Sequence, residues 1–238
     1  MGRETSGGMA VIFGATGGIG SALTEALRVQ GRHERVIGLS RSAGDNGEPG
    51  FDLTDEASIE AAATYLSGRP EAIRLAIDAT GYLHDARFAP ERSLGALDPE
   101  HMQQAFALNA IGPALLMKHI LPLLPRQGRS VFASLSARVG SIGDNELGGW
   151  HSYRASKAAL NQFVRGAAIE TGRRRKEAIC VALHPGTVDT RLSEPFSKSG
   201  LDVRPPEEAA RDILAVLDGL ESGDTGGFFD HKGKPVPW

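Results

Sequence analysis

The sequence predicts a doubly wound α/β fold: one parallel sheet with helices on both faces, in a single domain spanning residues 1–238. Three observations carry that prediction. Short apolar runs alternate with stretches of helical period along the 238 residues. The first apolar run ends in a glycine-rich turn that opens a helix. No repeat stands out, and the glycine- and serine-containing stretches at 42–50 and 193–204 are too short to be domain linkers.

The elements follow in order. "MGRETSGG" (1–8) is polar and reads as a flexible leader, without the apolar centre of a signal peptide. "MAVIFGA" (9–15) is a strand stopped by glycine, and "SALTEALRVQG" (21–31) is a helix closed by a glycine. "RVIGLS" (35–40) is a strand, "DEASIEAAATYLSG" (55–68) a helix with an acidic first turn, and "IRLAIDA" (73–79) a strand. Asp98 to about Leu124 reads as a long helix that Pro113 should kink or break. "RSVFASLS" (129–136) is a strand, 150–172 a long helix, and "EAICVALHPG" (177–186) a strand. "PPEEAARDILAVLDGL" (205–220) starts with prolines and acids, as helices do, and "GGFFDH" (226–231) is a last short strand.

Composition excludes several function classes. A net charge of −3 gives no field to hold nucleic acid or an anionic membrane. The densest apolar run, "IGPALLMKHILPLLP", is broken by Lys118, His119 and three prolines, so no membrane span is expected. Cys180 is the sole cysteine, which rules out an internal disulfide and suits a reducing, cytoplasmic setting. The seven histidines show no metal-ligand spacing, no metal site is expected, and there is no G-x-S-x-G elbow. "RRRK" (173–176) reads as a solvated helix end that complements the helix dipole.

In the turn "FGATGGIG", Gly14, Gly18 and Gly20 are spaced G-x-x-x-G-x-G. Missing side chains let phosphate oxygens reach the N–H groups of a helix N-terminus, although a tight turn without a ligand would use the same residues. At the end of the second strand, where an acid would favour a free ribose 2′-hydroxyl, the chain reads Ser40, Arg41, Ser42. Arg41 favours NADP over NAD, unless it only solvates a loop; NAD stays possible.

Tyr153 and Lys157 in "WHSYRASKAALN" share a helix face at i, i+4. A free tyrosine, with a pKa near 10, is ionised only on the order of 0.1% at pH 7, and a neighbouring cation would lower that pKa. By itself such a pair is common on solvated helices.

The pair does not stand by itself. With the glycine turn, "FDLTD" (51–55), "DATG" (78–81), "LNAIGP" (108–113), "SLSARVGSI", "YRASK" and "HPGTVDT" (184–190), the chain resembles the short-chain dehydrogenase/reductase family nearly end to end. "SARVGSIGDN" followed by "GGWHSYRASKAALN" also resembles a branch that includes C-factor signalling proteins and sniffer-type carbonyl reductases.

The resemblance implies a Rossmann-type sheet of seven strands in the order 3-2-1-4-5-6-7. It implies hydride transfer between NADP(H) and a small carbonyl or secondary alcohol. Tyr153 would be the general acid or base, Lys157 would lower its pKa and bind the nicotinamide ribose, and Asn109 would hold a connecting water. Gly14, Thr16, Gly18, Ile19, Gly20, Arg41, Asp52, Leu53, Ala79, Thr80, Gly81, Pro185, Gly186, Thr187, Val188 and Thr190 would line the cofactor. A serine would orient the substrate oxygen. The position 13 before the tyrosine is Gly140, leaving Ser134, Ser136 and Ser141; a lengthened loop after the strand selects Ser136.

Phe13, Gly17 and Asp78 depart from the family's usual threonine, basic residue and asparagine. Trp150 and His151 are candidates for a pocket wall, and 191–204 for a substrate-covering segment. Pairing through helices 98–124 and 150–172 would give a homodimer or homotetramer. Two alternatives remain: a dinucleotide-binding signalling protein with little turnover, and a nucleotide-sugar epimerase, for which the chain is short.

Overall fold

The structure, a computed structural model, describes residues 7–44, 47–193 and 203–238. Its main sheet contains β1 (Met9–Phe13), β2 (Arg35–Leu39), β3 (Ile73–Asp78), β4 (Ser130–Leu135), β5 (Ala178–His184) and β8 (Phe228–Asp230). All neighbours are parallel, in the order β2-β1-β3-β4-β5-β8. A separate two-stranded sheet joins β6 (Thr187–Val188) to β7 (Val203–Arg204).

The main sheet thus has six strands where seven were expected. The missing strand would lie outside β2, and the chain at 49–53 does run past there. Phe51 N donates to Ser40 O at 2.8 Å. Asp52 Oδ1 then accepts from Thr54 N at 2.8 Å and closes a turn. That turn curls the chain toward the next helix before a ladder can form.

Side chains alternate between two cores, as strands covered on both faces require. Val11, Phe13, Ala76, Phe132 and Cys180 face one core with Leu116, Leu160 and Val164. These last three come from α4 (Gly112–Ile120) and α5 (His151–Arg174); α2 (Glu56–Ser67) joins them through Ile59. Ala10, Ile12, Ile77, Val131 and Val181 face the other, under α1 (Gly18–Gln30) and α6 (Pro206–Gly219).

The break expected near Pro113 is present and has a definite form. α3 (Pro99–Phe106) runs into a π-turn at Ala107–Ile111 before α4 begins, and Gly112 N donates to Ala107 O. Pro113 has no N–H and its ring would strike the carbonyl four residues back, that of Asn109. The wider turn avoids the clash and carries Asn109 on its inner side, fully buried. By length and composition Pro99–Leu123 could cross a membrane; here its Leu116, Met117 and Ile120 fill the core beneath α4.

Residues 1–6 of the leader at 1–8, and residues 194–202 of the covering segment, lie outside the described residues.

Candidate active site

The strand order reverses between β1 and β3, and the crevice at their carboxyl ends is where such sheets bind ligands. The chain leaves β1 through Gly14, at φ +84°. A Cβ on Gly20 would sit 2.1 Å from Gly14 O, so α1 can fold back onto this turn only with glycine there. Gly17 caps α1 without a side-chain hydrogen bond, and no acid stands in its first turn. The N-terminal N–H groups and the positive end of the helix dipole therefore suit a phosphate. Thr16 is exposed at the turn, while Ile19 packs its side chain into the α1–α6 core.

Distant segments converge on this turn. Ala79 N donates to Phe13 O at 2.9 Å, which sets Ala79 and Thr80 beside Gly14. A Cβ on Gly18 would lie 2.7 Å from Thr190 Cγ2. Pro185 and Gly186 (φ +83°) lead into β6, whose Thr187 and Val188 pair with β7. Arg204 donates to Pro185 O at 2.8 Å and secures this loop from below. Leu53 is buried in the core. The backbone and side-chain bonds of Thr54 draw the Asp52 carboxyl below its usual range, with a smaller contribution from the Arg41 charge. Arg41 itself is exposed at the end of β2.

The residues expected to react are carried by α5 and the π-turn. Asn109 forms a reciprocal pair with the Tyr82 backbone, accepting from its N at 2.8 Å and donating to its O at 2.7 Å. It also donates to Ser156 Oγ at 3.0 Å, and Ser156 donates to Tyr153 O at 2.8 Å. The π-turn is thereby tied to the helix turn that carries Tyr153. Lys157 Nζ donates to Leu135 O at 2.8 Å, and a Cβ on Gly81 would lie 3.8 Å from Nζ and 3.9 Å from Asn109 Oδ1.

Burial pulls the Lys157 ammonium down to about 8, and the nearby Asp78 charge pulls in the opposite direction. Asp78, which departs from the family's asparagine, accepts from Ser134 Oγ at 2.6 Å and from Thr80. Burial raises Tyr153 above its ordinary value, so the phenol holds its proton across the neutral range. The ring packs with Leu83 and Ala137, and the Trp150 ring stands edge-on 6.3 Å away.

Ser136, expected as the substrate-orienting serine, has a partner on α5. Ser136 Oγ donates to Asn161 Oδ1 at 2.6 Å. Asn161 lies two turns beyond Tyr153, about 12 Å along the helix. The Ser136 hydroxyl is therefore engaged by the helix turn that carries Asn161. Ser134 is taken by Asp78, and Ser141 Oγ accepts from Asp144 N at 3.1 Å. Gly140 presses on α5, where a Cβ would lie 2.8 Å from Lys157 Cβ. From this segment, Ala137 and Val139 join the Tyr153 cluster.

A family model described as enoyl-(acyl carrier protein) reductase matches residues 14–204. 1-Hydroxy-2-glutathionyl-2-methyl-3-butene dehydrogenase of Rhodococcus sp. (strain AD45) is 31% identical over 235 residues, covering 96% of this chain and 98% of that protein. The chain belongs to the short-chain dehydrogenase/reductase family. C-signal of Myxococcus xanthus is 37% identical over 146 residues, 61% of this chain and 84% of its own. Among solved structures, the NADPH-bound carbonyl reductase from chicken fatty liver superposes with a TM-score of 0.82 at 26% identity, covering 100% of this chain and 96% of its own.

Within this short-chain dehydrogenase/reductase, the sequence reading missed the groups that hold Tyr153, Lys157 and Asn109 in place. Ser156 lies between Tyr153 and Lys157 in the motif itself, and its serine type next to a buried helix face was the available signal. Asn161 repeats the four-residue spacing of 153 and 157. The Asp78–Ser134 bond joins neighbouring strands that are 56 positions apart, and no local pattern marks it.

Proposed function

We propose that this chain is an NADP(H)-dependent oxidoreductase that interconverts a carbonyl and a secondary alcohol. The observation that supports the reading is the tie from Asn109 through Ser156 to the helix turn of Tyr153, with Lys157 Nζ and Asn109 Oδ1 both beside Gly81, next to Thr80 at the Gly14 turn. The bound nicotinamide would supply or accept the hydride. Tyr153 would give its phenolic proton to the carbonyl oxygen, a role suited to a hydroxyl that burial keeps protonated. Lys157 would bind the ribose hydroxyls and hold positive charge near the phenol, with Asn109 fixing the segment behind both. The Ser136 hydroxyl, held by Asn161, takes no part.

Titration of the purified protein with NADPH and with NADH, followed by NADPH oxidation over aldehydes, ketones and quinones, tests this reading. Binding of neither dinucleotide would sink it. Arg41→Ala should weaken NADPH by roughly 10–100-fold, the value of a hydrogen bond to a charged group, and leave NADH within about twofold. Equal losses for both would remove Arg41 from the 2′-phosphate. The lone, buried Cys180 supports a reducing, cytoplasmic setting. A homodimer or homotetramer through α4 and α5 is expected, and a monomer in light scattering would contradict it.

A further inference from the structure

α5 starts without a cap of its own. Its N-cap residue, Trp150, is held at φ +50°, offers no side-chain bond to the helix, and no acid stands in the first turn. Orphan N–H groups buried at a helix start are costly unless something reaches them. What reaches them is Glu91, from the loop between β3 and α3. Its carbonyl accepts from Trp150 N at 2.5 Å. Its carboxylate accepts from Ser152 N at 3.2 Å and from Ser152 Oγ. The same carboxylate lies 3.1 Å from His101 Nδ1, in the first turn of α3.

Glu91, His101 and Ser152 are all buried, at 3%, 2% and 1% exposure, so this is an internal junction and not a surface pair. His101 stacks on Phe88 (5.0 Å, 9°) and meets the Tyr82 ring edge-on at 6.0 Å. Tyr82 is the residue whose backbone grips Asn109. One carboxylate therefore joins the helix turn that carries Tyr153 to the helix that leads to Asn109. Burial pushes the Glu91 carboxyl up, but the Ser152 hydroxyl and the backbone bonds outweigh it, and the net direction is down.

We propose that Glu91 is a positioning residue for the reaction: it replaces the missing cap of α5 and sets Tyr153 against Asn109. This rests on the reading of Tyr153 as the proton donor. The test is Glu91→Gln, which keeps the shape and removes the charge. Turnover should fall at least tenfold on any carbonyl that the wild-type chain reduces, with the NADPH dissociation constant within about twofold. Amide exchange at 150–154 should quicken at least tenfold while the β1, β3 and β4 amides keep their protection. Unchanged turnover, equal loss of turnover and NADPH binding, or unchanged exchange at 150–154 would each overturn the proposal. Should Glu91→Gln fail to fold, Ser152→Ala removes one of the bonds. A several-fold loss of turnover with NADPH binding intact then supports the proposal, and unchanged turnover overturns it. If the wild-type chain reduces no carbonyl, the functional reading fails separately, and the exchange measurement still decides whether Glu91 holds the start of α5.

Discussion

Tyr153→Phe should lower NADPH-dependent carbonyl reduction by about 10²–10⁴-fold, the range lost with a positioned general acid. The substitution deletes one oxygen and keeps the ring that packs with Leu83, Ala137 and Trp150. Melting temperature and NADPH affinity should therefore stay near wild type, which separates a chemical loss from an unfolded one. The pH dependence has a defined sign. Reduction needs the protonated phenol, and burial raises its pKa, so the reductive rate should hold through neutral pH and fall only in strong alkali. Oxidation of the alcohol needs the phenolate and should rise with pH over the same span. A Tyr153→Phe protein with full turnover would end the proposed mechanism.

Lys157→Met should produce the opposite pairing of effects: a more stable protein that does not work. Burial draws the Lys157 ammonium down to about 8, from an ordinary value of 10.5. At about 1.4 kcal/mol per pH unit, keeping this ammonium protonated inside the fold costs roughly 3 kcal/mol. Below pH 8 both the folded and the unfolded chain carry the proton and the full cost applies. Between about pH 8 and 10.5 the folded chain releases it first, so the cost fades as pH rises. The methionine variant, which also gives up the bond to Leu135 O, should melt a few degrees higher than wild type at pH 7, with the margin closing by pH 10. Its turnover should be lost, and its NADPH affinity reduced. A variant that melts lower at pH 7 would show that the bond to Leu135 outweighs the cost of burial.

The sequence reading succeeded where local chemistry suffices. The turn from Gly14 to Gly20 needs bare backbone, Tyr153 and Lys157 are one helix turn apart, and Pro113 cannot sit in an unbroken helix, so each leaves a mark within a few residues. It stops short where a side chain chooses between distant partners. Ser136 sits at a plausible place in the chain, yet its direction is fixed by Asn161, 25 positions on. Glu91 stands in an irregular loop with no periodicity, and its meaning depends on Ser152, 61 positions later. The seventh strand failed for a smaller reason, since Asp52 prefers to close its own turn.

The π-turn beneath Asn109 also works as a correction of phase. Inward-facing residues from α3 through α4 recur at 101, 105, 109, 113 and 117, a spacing of four. On a straight α-helix each such step would rotate the next residue by about 40° away from the core. A turn that consumes more residues per revolution absorbs part of that drift. His101 can then face Glu91 at one end while Met117 still faces the core at the other. Restoring a regular helix here, by deleting a single residue from 107–111, would set the two ends out of step, and no repacking of one end alone would bring them back.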